Sequence, residues 1–315
     1  MRILVTGGAG FIGSHVVEAY ITAGHEVFVV DDLSTGKAEQ VHPQAHFLRA
    51  DIQDAVVRRL MVQERIEVLN HHAAQMDVRR SVADPLFDAR VNILGLLNVL
   101  EGAREAGTKK VLFASSGGTV YGEQEIFPAP EDHPTRPISP YGVSKRAGEH
   151  YLYFYQVQYG LPYIALRYAN VYGPRQDPHG EAGVVAIFTS RLLSGVQPII
   201  NGDGKQTRDY VFVSDVARAN LAALHATYTG PLNIGTGIET DVNQLFYALR
   251  ALIDPAVPEV HGPAKPGEQR RSVLAWDRAA TVLGWRPQVP LADGLQQTVA
   301  YFRTRQHGYT SHSEL

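Results

Sequence analysis

The sequence of 315 residues lacks cysteine, lacks any apolar run of about twenty residues and lacks an excess of either charge. Without cysteine, disulfides and thiolate metal sites are excluded. Without a long apolar run, a transmembrane helix is excluded. The 29 basic and 32 acidic residues leave a formal net charge of −3, so nothing favours a nucleic-acid or anionic-membrane partner. Since no signal peptide precedes the first strand-like segment, we expect a cytoplasmic protein.

The thirteen histidines do not indicate a metal site. His71 and His72 are the only adjacent pair, and neighbouring residues on a strand point to opposite faces, so they cannot chelate one ion. HExxH spacing does not occur. We therefore predict no metal.

The most informative feature is a glycine-rich turn between two strand-like segments. The apolar segment 2–6 leads into Gly7, Gly10 and Gly13, and an amphipathic stretch follows. These glycines allow a tight turn, a close approach to a pyrophosphate and close packing of helix on strand. A second apolar segment, 26–30, ends in Asp31 and Asp32. A carboxylate there accepts hydrogen bonds from ribose hydroxyls and repels a 2′-phosphate, so the unit predicts NAD rather than NADP.

The same glycines also resemble a phosphate-binding loop of the ATPase type. The lysine that such a loop directs at the distal phosphates is absent, because Gly13 is followed directly by Ser14. The order strand, turn, helix, strand and acid is the context that a dinucleotide site requires.

Strand-like and helix-like segments alternate through the first half of the chain. We predict strands at 2–6, 26–31, 46–50, 67–72, 110–115 and 162–167, and helices near 12–23, 54–63, 84–106 and 140–159. Alternation of this kind predicts a doubly wound parallel sheet of the Rossmann type, an α/β fold.

We predict that a smaller, mixed α/β substrate-binding lobe completes the fold. Residues 1–173 form the cofactor domain, which the chain rejoins at about 208–237 through a helix near 214–227 and a strand at 232–234. Segments 174–207 and 238–305 form the lobe, and residues 306–315 form a frayed tail.

Tyr141 and Lys145 are spaced i and i+4, one turn apart on one face of a helix. Ser139 suits the N-cap of that helix, and Pro140 suits its first position. A tyrosine has an ordinary pKa near 10 and is a poor base at neutral pH. A neighbouring ammonium group and a cationic nicotinamide ring favour the phenolate, so we expect a lowered pKa for Tyr141. The pair predicts proton removal from a sugar hydroxyl during hydride transfer.

These motifs together resemble the extended short-chain dehydrogenase/reductases, and within them the UDP-glucose (UDP-galactose) 4-epimerases. The resemblance covers nearly the whole chain and lies in these segments: TGGAGFIG at 6–13, DDLSTG at 31–36, DI at 51–52, HAA at 72–74, Asn92, SSGGTVYG at 115–122, SPYGVSK at 139–145, LRYANVYG at 166–173, GDG at 202–204, RDYV at 208–211 and LGW at 283–285.

The resemblance implies an NAD-dependent isomerase that oxidises C4 of a UDP-sugar transiently and reduces it again on the other face. Tyr141 would be the base, with Lys145 as its partner. The cofactor residues implied are Gly7, Gly10, Phe11, Ile12, Gly13, Asp31, Asp32, Leu33, Ser34, Thr35, Gly36, Asp51, Ile52, Ala73, Ala74, Gln75, Asn92, Ser115, Tyr141, Lys145, Tyr168 and Ala169. The substrate residues implied are Ser116, Thr119, Tyr141, Asn170, Val184, Val185, Arg208, Lys265, Glu268 and Ser272.

Two positions depart from the family pattern. The active-site serine or threonine usually lies four residues before the tyrosine of VYG, where this chain has Gly117. The catalytic hydroxyl must then come from Ser116, from Thr119 or from water, and Ser116 is preferred. An arginine that usually precedes a G-E/D pair is replaced by Lys265, which lacks the bidentate fork; Arg270 or Arg271 is the alternative.

Several related activities remain open at this stage. The small Ser272, at a position that borders the sugar C2 substituent in the resembling family, leaves room for an N-acetyl group and keeps UDP-N-acetylglucosamine as a substrate. UDP-glucuronate 4-epimerase and decarboxylase activities also remain. A dTDP-glucose 4,6-dehydratase would need an Asp-Glu pair at 118–119, where Gly and Thr stand. A non-catalytic NAD-sensing protein would not need the Tyr141 and Lys145 pair.

The resemblance also implies a homodimer through a four-helix interface of the helices near 84–106 and 140–159.

Overall fold

The computed structural model describes residues 1–179, 183–265 and 269–310. Its strands are β1 Arg2–Thr6, β2 Glu26–Asp31, β3 His46–Arg49, β4 Val68–His71, β5 Lys110–Ser116, β6 Tyr163–Tyr168, β7 Asn170–Tyr172, β8 Ile200–Asn201, β9 Thr207–Phe212, β10 Gly230–Ile234, β11 Glu239–Asp241 and β12 His261–Gly262. Its helices are α1 Phe11–Thr22, α2 Ala55–Gln63, α3 Val78–Ala83, α4 Pro85–Ala89, α5 Gly95–Ala106, α6 Gly117–Val120, α7 Pro140–Tyr159, α8 Val184–Leu193, α9 Val213–Ala223, α10 Val242–Ile253, α11 Asp277–Leu283 and α12 Leu291–Thr310.

Seven parallel strands form the main sheet, in the order β10, β6, β5, β4, β1, β2, β3. Strands β2 and β3 lie on one side of β1, and β4, β5, β6 and β10 follow one another on its other side. The topology therefore switches between β1 and β4, and doubly wound sheets bind their ligands at the carboxyl ends of the strands beside such a switch. The predicted doubly wound α/β fold is confirmed.

Alternation along the buried strands supplies a core on both faces of this sheet. Ile3 and Val5 pack on the face covered by α1 and α9. Leu4, which points the other way, packs on the face covered by α2, α5 and α7. Because both faces are covered, β1 is apolar at three consecutive positions, Ile3, Leu4 and Val5, which is the pattern expected of a central parallel strand. Full burial of such a side chain contributes about 1.5–3 kcal/mol.

One predicted helix is interrupted in the structure. The segment predicted as a single helix at 84–106 consists of α4, a π turn at Arg90–Leu94 and α5, and the separate helix α3 precedes it. The π turn carries Asn92, whose amide is fixed by the backbone of Gln75 and the carboxylate of Asp88. The local sequence did not reveal this interruption because those contacts come from tertiary structure.

The second half of the chain adds a three-stranded sheet in the order β11, β9, β7 and a pair of strands, β12 and β8. A third apolar cluster joins α8, α10 and α12 through Phe188, Phe246 and Val299. The division into a cofactor domain and a substrate lobe remains a prediction. Helix α12 extends to Thr310, so the first part of the predicted tail is helical, and residues 311–315 lie outside the described residues. No helix within the described ranges has the length and apolarity needed to cross a membrane.

Candidate active site

The glycine-rich turn connects β1 to α1 and has no room for side chains. Gly7 has a φ of +70°, a left-handed conformation that favours glycine. A Cβ atom on Gly7 would lie 2.6 Å from the backbone nitrogen of Ala73, and one on Gly13 would lie 2.1 Å from the carbonyl oxygen of Gly7. No side chain caps the start of α1 at Gly10, so the helix terminus is available to an anion. This cradle fits the pyrophosphate of a dinucleotide.

Asp31 ends β2 beside this turn and organises it. Its carboxylate accepts hydrogen bonds from the backbone N–H groups of Ala9 and Leu33, at 3.0 and 2.9 Å. Burial is the main reason that the pKa of Asp31 is raised. Two backbone hydrogen bonds leave acceptor capacity for ribose hydroxyls. The neighbouring Asp32 is exposed and accepts hydrogen bonds from Ser34 instead, so Asp31 is the better candidate for the ribose.

The other predicted cofactor residues follow the carboxyl ends of successive strands. Leu33, Ser34, Thr35 and Gly36 follow β2; Asp51 and Ile52 follow β3; Ala73, Ala74 and Gln75 follow β4; Ser115 lies near the end of β5; and Tyr168 and Ala169 lie at the end of β6. The main sheet thus brings them to a single edge.

The buried His71 and the half-buried His72 support this edge. Nδ1 of His71 lies 2.7 Å from the Thr6 hydroxyl oxygen, and Nε2 of His72 lies 3.1 Å from the Tyr168 hydroxyl oxygen. Burial, reinforced by the positive charge of Lys145, lowers the pKa of both, that of His72 to about 3. Both imidazoles are therefore neutral at physiological pH. They serve as hydrogen-bonding groups on opposite faces of the strand end.

Tyr141 and Lys145 lie on the first turns of α7. The Ser139 side chain caps this helix by accepting from the Gly142 N–H, and Pro140 is its first residue, as predicted. The Lys145 ammonium nitrogen donates to the Ala114 carbonyl at 2.8 Å and lies 5.7 Å from the centre of the Tyr141 ring. Burial lowers the pKa of Lys145 to about 8, against the opposing effect of Asp88. Lys145 is therefore protonated at neutral pH and loses its proton at a lower pH than an exposed lysine does.

The pKa of Tyr141 is raised in the protein without its cofactor. Burial is the largest cause, and the negative charge of Asp88 adds to it. A hydrogen bond from the Ser116 hydroxyl acts in the opposite direction, because it stabilises the phenolate. The lowered pKa was predicted for a site that also holds a cationic nicotinamide ring, and it stays a prediction; that reasoning left out desolvation of the phenol.

Gly117 has no side chain because the second half of the chain occupies the space. A Cβ atom on Gly117 would lie 2.4 Å from Cδ1 of Leu274, which is fully buried. At the next residue, Gly118, a Cβ atom would find its nearest neighbours at 3.8 and 3.9 Å, on Asn170 and Ser116. The family's usual hydroxyl position is thus blocked, and open space remains beside Ser116.

Ser116 and Thr119, the two candidate hydroxyls, differ in their surroundings. The Ser116 hydroxyl is near enough to the Tyr141 phenol to favour its phenolate form. The Thr119 hydroxyl is buried, with no hydrogen-bond partner among the described residues. The geometry therefore favours Ser116 as the hydroxyl beside the phenol.

Replacing Gly117 with serine should destabilise the protein by about 1–3 kcal/mol, because the new side chain collides with Leu274. The free energy of unfolding, measured by denaturant titration, checks this. Gly118→Ser adds the same side chain where space exists and should cost much less. Adding Leu274→Ala should relieve the Gly117→Ser penalty, which a double-mutant cycle would detect as a favourable coupling energy. A Gly117→Ser variant as stable as wild type would contradict the steric argument.

Four of the predicted substrate residues lie on β7, α8 and β9, in the second half of the chain. Asn170 lies in β7 near Ser116, and Arg208 lies in β9, where its guanidinium donates to the Thr207 carbonyl at 2.7 Å. Val185 is buried in the apolar cluster of α8, whereas Val184 is half-buried at the start of that helix and is the better candidate for contact with the base.

The remaining substrate candidates lie in segment 265–272. Ser272 is buried and Lys265 is exposed, whereas Glu268 lies outside the described residues. Arg270 and Arg271, the alternatives to Lys265, form exposed ion pairs with Asp203 and Glu239.

Two groups that support the site were not predicted from the sequence. Asp88 is fully buried and accepts a hydrogen bond from Ser144, the residue before Lys145. Arg167 forms a bidentate buried pair with Glu149, one turn after Lys145 on α7. Asp88 precedes Asn92 by one helical turn, and this spacing was the available signal. Arg167 belongs to the LRYANVYG motif but had no assigned role.

Comparison with known proteins gives consistent matches over nearly the whole chain. The sequence model of the NAD-dependent epimerase/dehydratase family matches residues 3–235. The UDP-glucose 4-epimerase of Mycolicibacterium smegmatis is 49% identical over 312 residues, which are 97% of this chain and 99% of that protein. The crystal structure of a Thermotoga maritima UDP-glucose 4-epimerase with UDP-glucose has a TM-score of 0.96 at 50% identity, covering 97% of this chain and 100% of that chain. The crystal structure of Thermus thermophilus UDP-glucose 4-epimerase complexed with NAD has a TM-score of 0.91 at 46% identity, covering 96% and 99%.

Proposed function

Because the chain belongs to the NAD-dependent epimerase/dehydratase family, we propose that it interconverts UDP-glucose and UDP-galactose at C4 of the sugar. The chain is a nucleotide-sugar epimerase, and hence an isomerase, with NAD as its cofactor. The observation that carries the finer assignment is the Tyr141–Lys145 pair, whose ammonium nitrogen lies 5.7 Å from the centre of the phenol ring, with the Ser116 hydroxyl near enough to favour the phenolate. This constellation lies at the same sheet edge as the glycine-rich turn.

Tyr141 removes the proton from the sugar O4 hydroxyl in this proposal. Ser116 donates a hydrogen bond that stabilises the phenolate, and the Lys145 ammonium provides positive charge nearby. Bound NAD⁺ supplies the hydride acceptor for C4 and the positive ring charge that further favours a phenolate. The pKa of Tyr141 is raised in the protein alone, so the phenol is protonated there at neutral pH.

The cofactor is held, in this proposal, by three parts of the first half of the chain. The backbone of the glycine turn binds the pyrophosphate, Asp31 binds the adenosine ribose, and Asp51 with Ile52 borders the adenine. Lys145, Asn92 and Tyr168 border the nicotinamide ribose and ring.

Substrate recognition falls to the second half of the chain. Asn170, Arg208 and Lys265 are proposed to hold the UDP diphosphate, since guanidinium and ammonium groups suit phosphate oxygens. The open space at Gly118 accommodates the sugar, so that either face of C4 can be presented while the diphosphate stays fixed. The small, buried Ser272 favours UDP-N-acetylglucosamine as a second substrate.

The test is incubation of purified protein with UDP-glucose, UDP-N-acetylglucosamine and UDP-glucuronate in separate reactions, followed by chromatographic separation of C4 epimers. We expect UDP-galactose to form from UDP-glucose, and the relative rates to rank the sugars. Epimerisation of UDP-glucuronate alone would replace the proposed substrate. If none of the sugars is epimerised with NAD supplied, the proposed function is wrong.

We also propose that two copies associate through the helices α3–α5 and α7. These helices pack beside one another and leave several large apolar side chains exposed. They are Leu86, Leu94, Tyr153, Phe154 and Val157. An exposed apolar surface of this kind on adjoining helices is typical of a protein–protein contact, and the family resemblance specifies a second copy as the partner. Light scattering should give the mass of a dimer, and Val157→Glu should shift it towards the 34.6 kDa monomer.

A further inference from the structure

Asp88 is a buried carboxylate beneath the catalytic helix. Its exposed fraction is 0%, although aspartate is one of the residues that folded proteins bury least often. It accepts hydrogen bonds from three neutral side chains: the Ser144 hydroxyl at 2.5 Å, the Asn92 amide at 2.9 Å and the Gln75 amide at 3.2 Å. Since these donors come from α7, the π turn and the segment after β4, Asp88 ties three parts of the site together.

The contact with Ser144 is the one that reaches the catalytic pair. Ser144 lies between Tyr141 and Lys145 on α7, and its bond to Asp88 has the short length of a charge-assisted O–H···O⁻ interaction. A second contact fixes the same turn, because the Ser81 hydroxyl oxygen accepts from the Tyr141 N–H at 3.2 Å. Both contacts hold the start of α7 against the segment 78–89.

Asp88 also acts on the catalytic pair through its charge. Burial lowers the pKa of Lys145, and the Asp88 carboxylate opposes this effect by favouring the ammonium form. The same carboxylate disfavours the Tyr141 phenolate and raises that pKa. The other groups that face the pair are neutral. They are His71 at the end of β4, His72 directly after it, the Ala114 carbonyl of β5 and the Ser116 hydroxyl.

We propose that Asp88 is a positioning residue, which anchors the first turns of α7 through Ser144 and places a fixed negative charge beside the Tyr141–Lys145 pair. It touches neither substrate nor reacting atoms, and its effect passes through the side chains that do. The catalytic part of this inference rests on the proposed function, whereas the effect on Lys145 does not.

The test is an Asp88→Asn variant, which keeps the size of the side chain and removes its charge. Loss of the charge should lower the pKa of Lys145 by about one unit, because a nearby opposite charge shifts a pKa by that order. Lysine labelled with ¹³C at Cε reports this titration by NMR in the NAD-bound protein. The Lys145 resonance is identified by its absence from Lys145→Met. The pH profile of kcat should move to lower pH as a whole, because the pKa of Tyr141 falls as well.

Two controls separate charge from anchoring. Ser144→Ala keeps the carboxylate and loses the anchor, so kcat should fall while the pH profile and the Lys145 titration stay in place. Asp84→Asn replaces an exposed carboxylate that caps α4, and asparagine caps equally well, so neither quantity should change.

The proposal is overturned if Asp88→Asn lowers kcat without moving the pH profile or the Lys145 titration, because Asp88 would then be a structural residue only. Should that variant not fold, Ser144→Ala decides the anchoring claim, and an unchanged kcat would contradict it. If the wild-type protein epimerises no UDP-sugar, the proposed function fails, while the Lys145 titration in the two proteins still tests the charge effect.

Discussion

Replacing Tyr141 with phenylalanine should lower kcat for C4 epimerisation by about 10²- to 10⁴-fold, the range that a positioned general base contributes. The change removes only the hydroxyl group that exchanges the O4 proton. The ring remains, so its packing near Lys145 and the helix cap at Ser139 are retained. Ser116 is partly exposed, so water can take the place of the phenol hydroxyl beside it. We therefore expect an unchanged NAD content and a nearly unchanged KM.

Steady-state kinetics and the absorbance of released NAD check this expectation. Tyr159→Phe is the matched control, because it removes the same hydroxyl from an exposed tyrosine at the last turn of the same helix. A Tyr141→Phe variant within threefold of wild type in kcat would show that another group removes the proton. Ser116 and Thr119 would then be the next groups to replace.

Replacing Gly13 with alanine should abolish tight NAD binding. The added Cβ atom would lie 2.1 Å from the Gly7 carbonyl oxygen and 3.0 Å from the Cα atom of Gly8. Both are backbone atoms, so the turn itself must move, and the pyrophosphate cradle moves with it. A steric cost of about 1–3 kcal/mol corresponds to a loss of NAD affinity of about 5- to 150-fold. Isothermal titration calorimetry on protein freed of cofactor measures the affinity.

Gly10→Ala provides a graded comparison within the same turn. Its Cβ atom would lie 3.2 Å from the Gly7 carbonyl oxygen, a contact that a small movement relieves. We therefore expect a smaller loss of NAD affinity than for Gly13→Ala. Equal NAD affinity in the Gly13→Ala variant and the wild type would contradict the role of this turn as the pyrophosphate cradle.

The main sheet and the order of its elements could be predicted from the sequence. Buried parallel strands are short and continuously apolar, and each predicted strand of the first six lies within two residues of the observed one. The start of α7 was also predictable, because the N-cap of Ser139 and the position of Pro140 are local signals. Local chemistry was sufficient in both cases.

The parts of the site that depend on distant contacts could not be predicted. The reason for glycine at position 117 is Leu274, which only the folded chain brings against it. The role of Asp88 depends on its meeting Ser144 across two helices. The direction of the Tyr141 pKa shift depends on the extent of burial, which the spacing of Tyr141 and Lys145 does not reveal. Desolvation and packing are properties of the tertiary structure.

The central claim is that the sugar C4 is oxidised and reduced again within one site, with Tyr141 handling only the O4 proton. UDP-glucose carrying deuterium at C4 tests this directly, with the UDP-galactose product analysed by mass spectrometry and proton NMR. The account predicts that the deuterium is retained at C4 in ordinary water, because the hydride stays within the protein throughout. Replacement of the deuterium by hydrogen from solvent would contradict the account, since it would mean that C4 is deprotonated and reprotonated by acid–base chemistry instead.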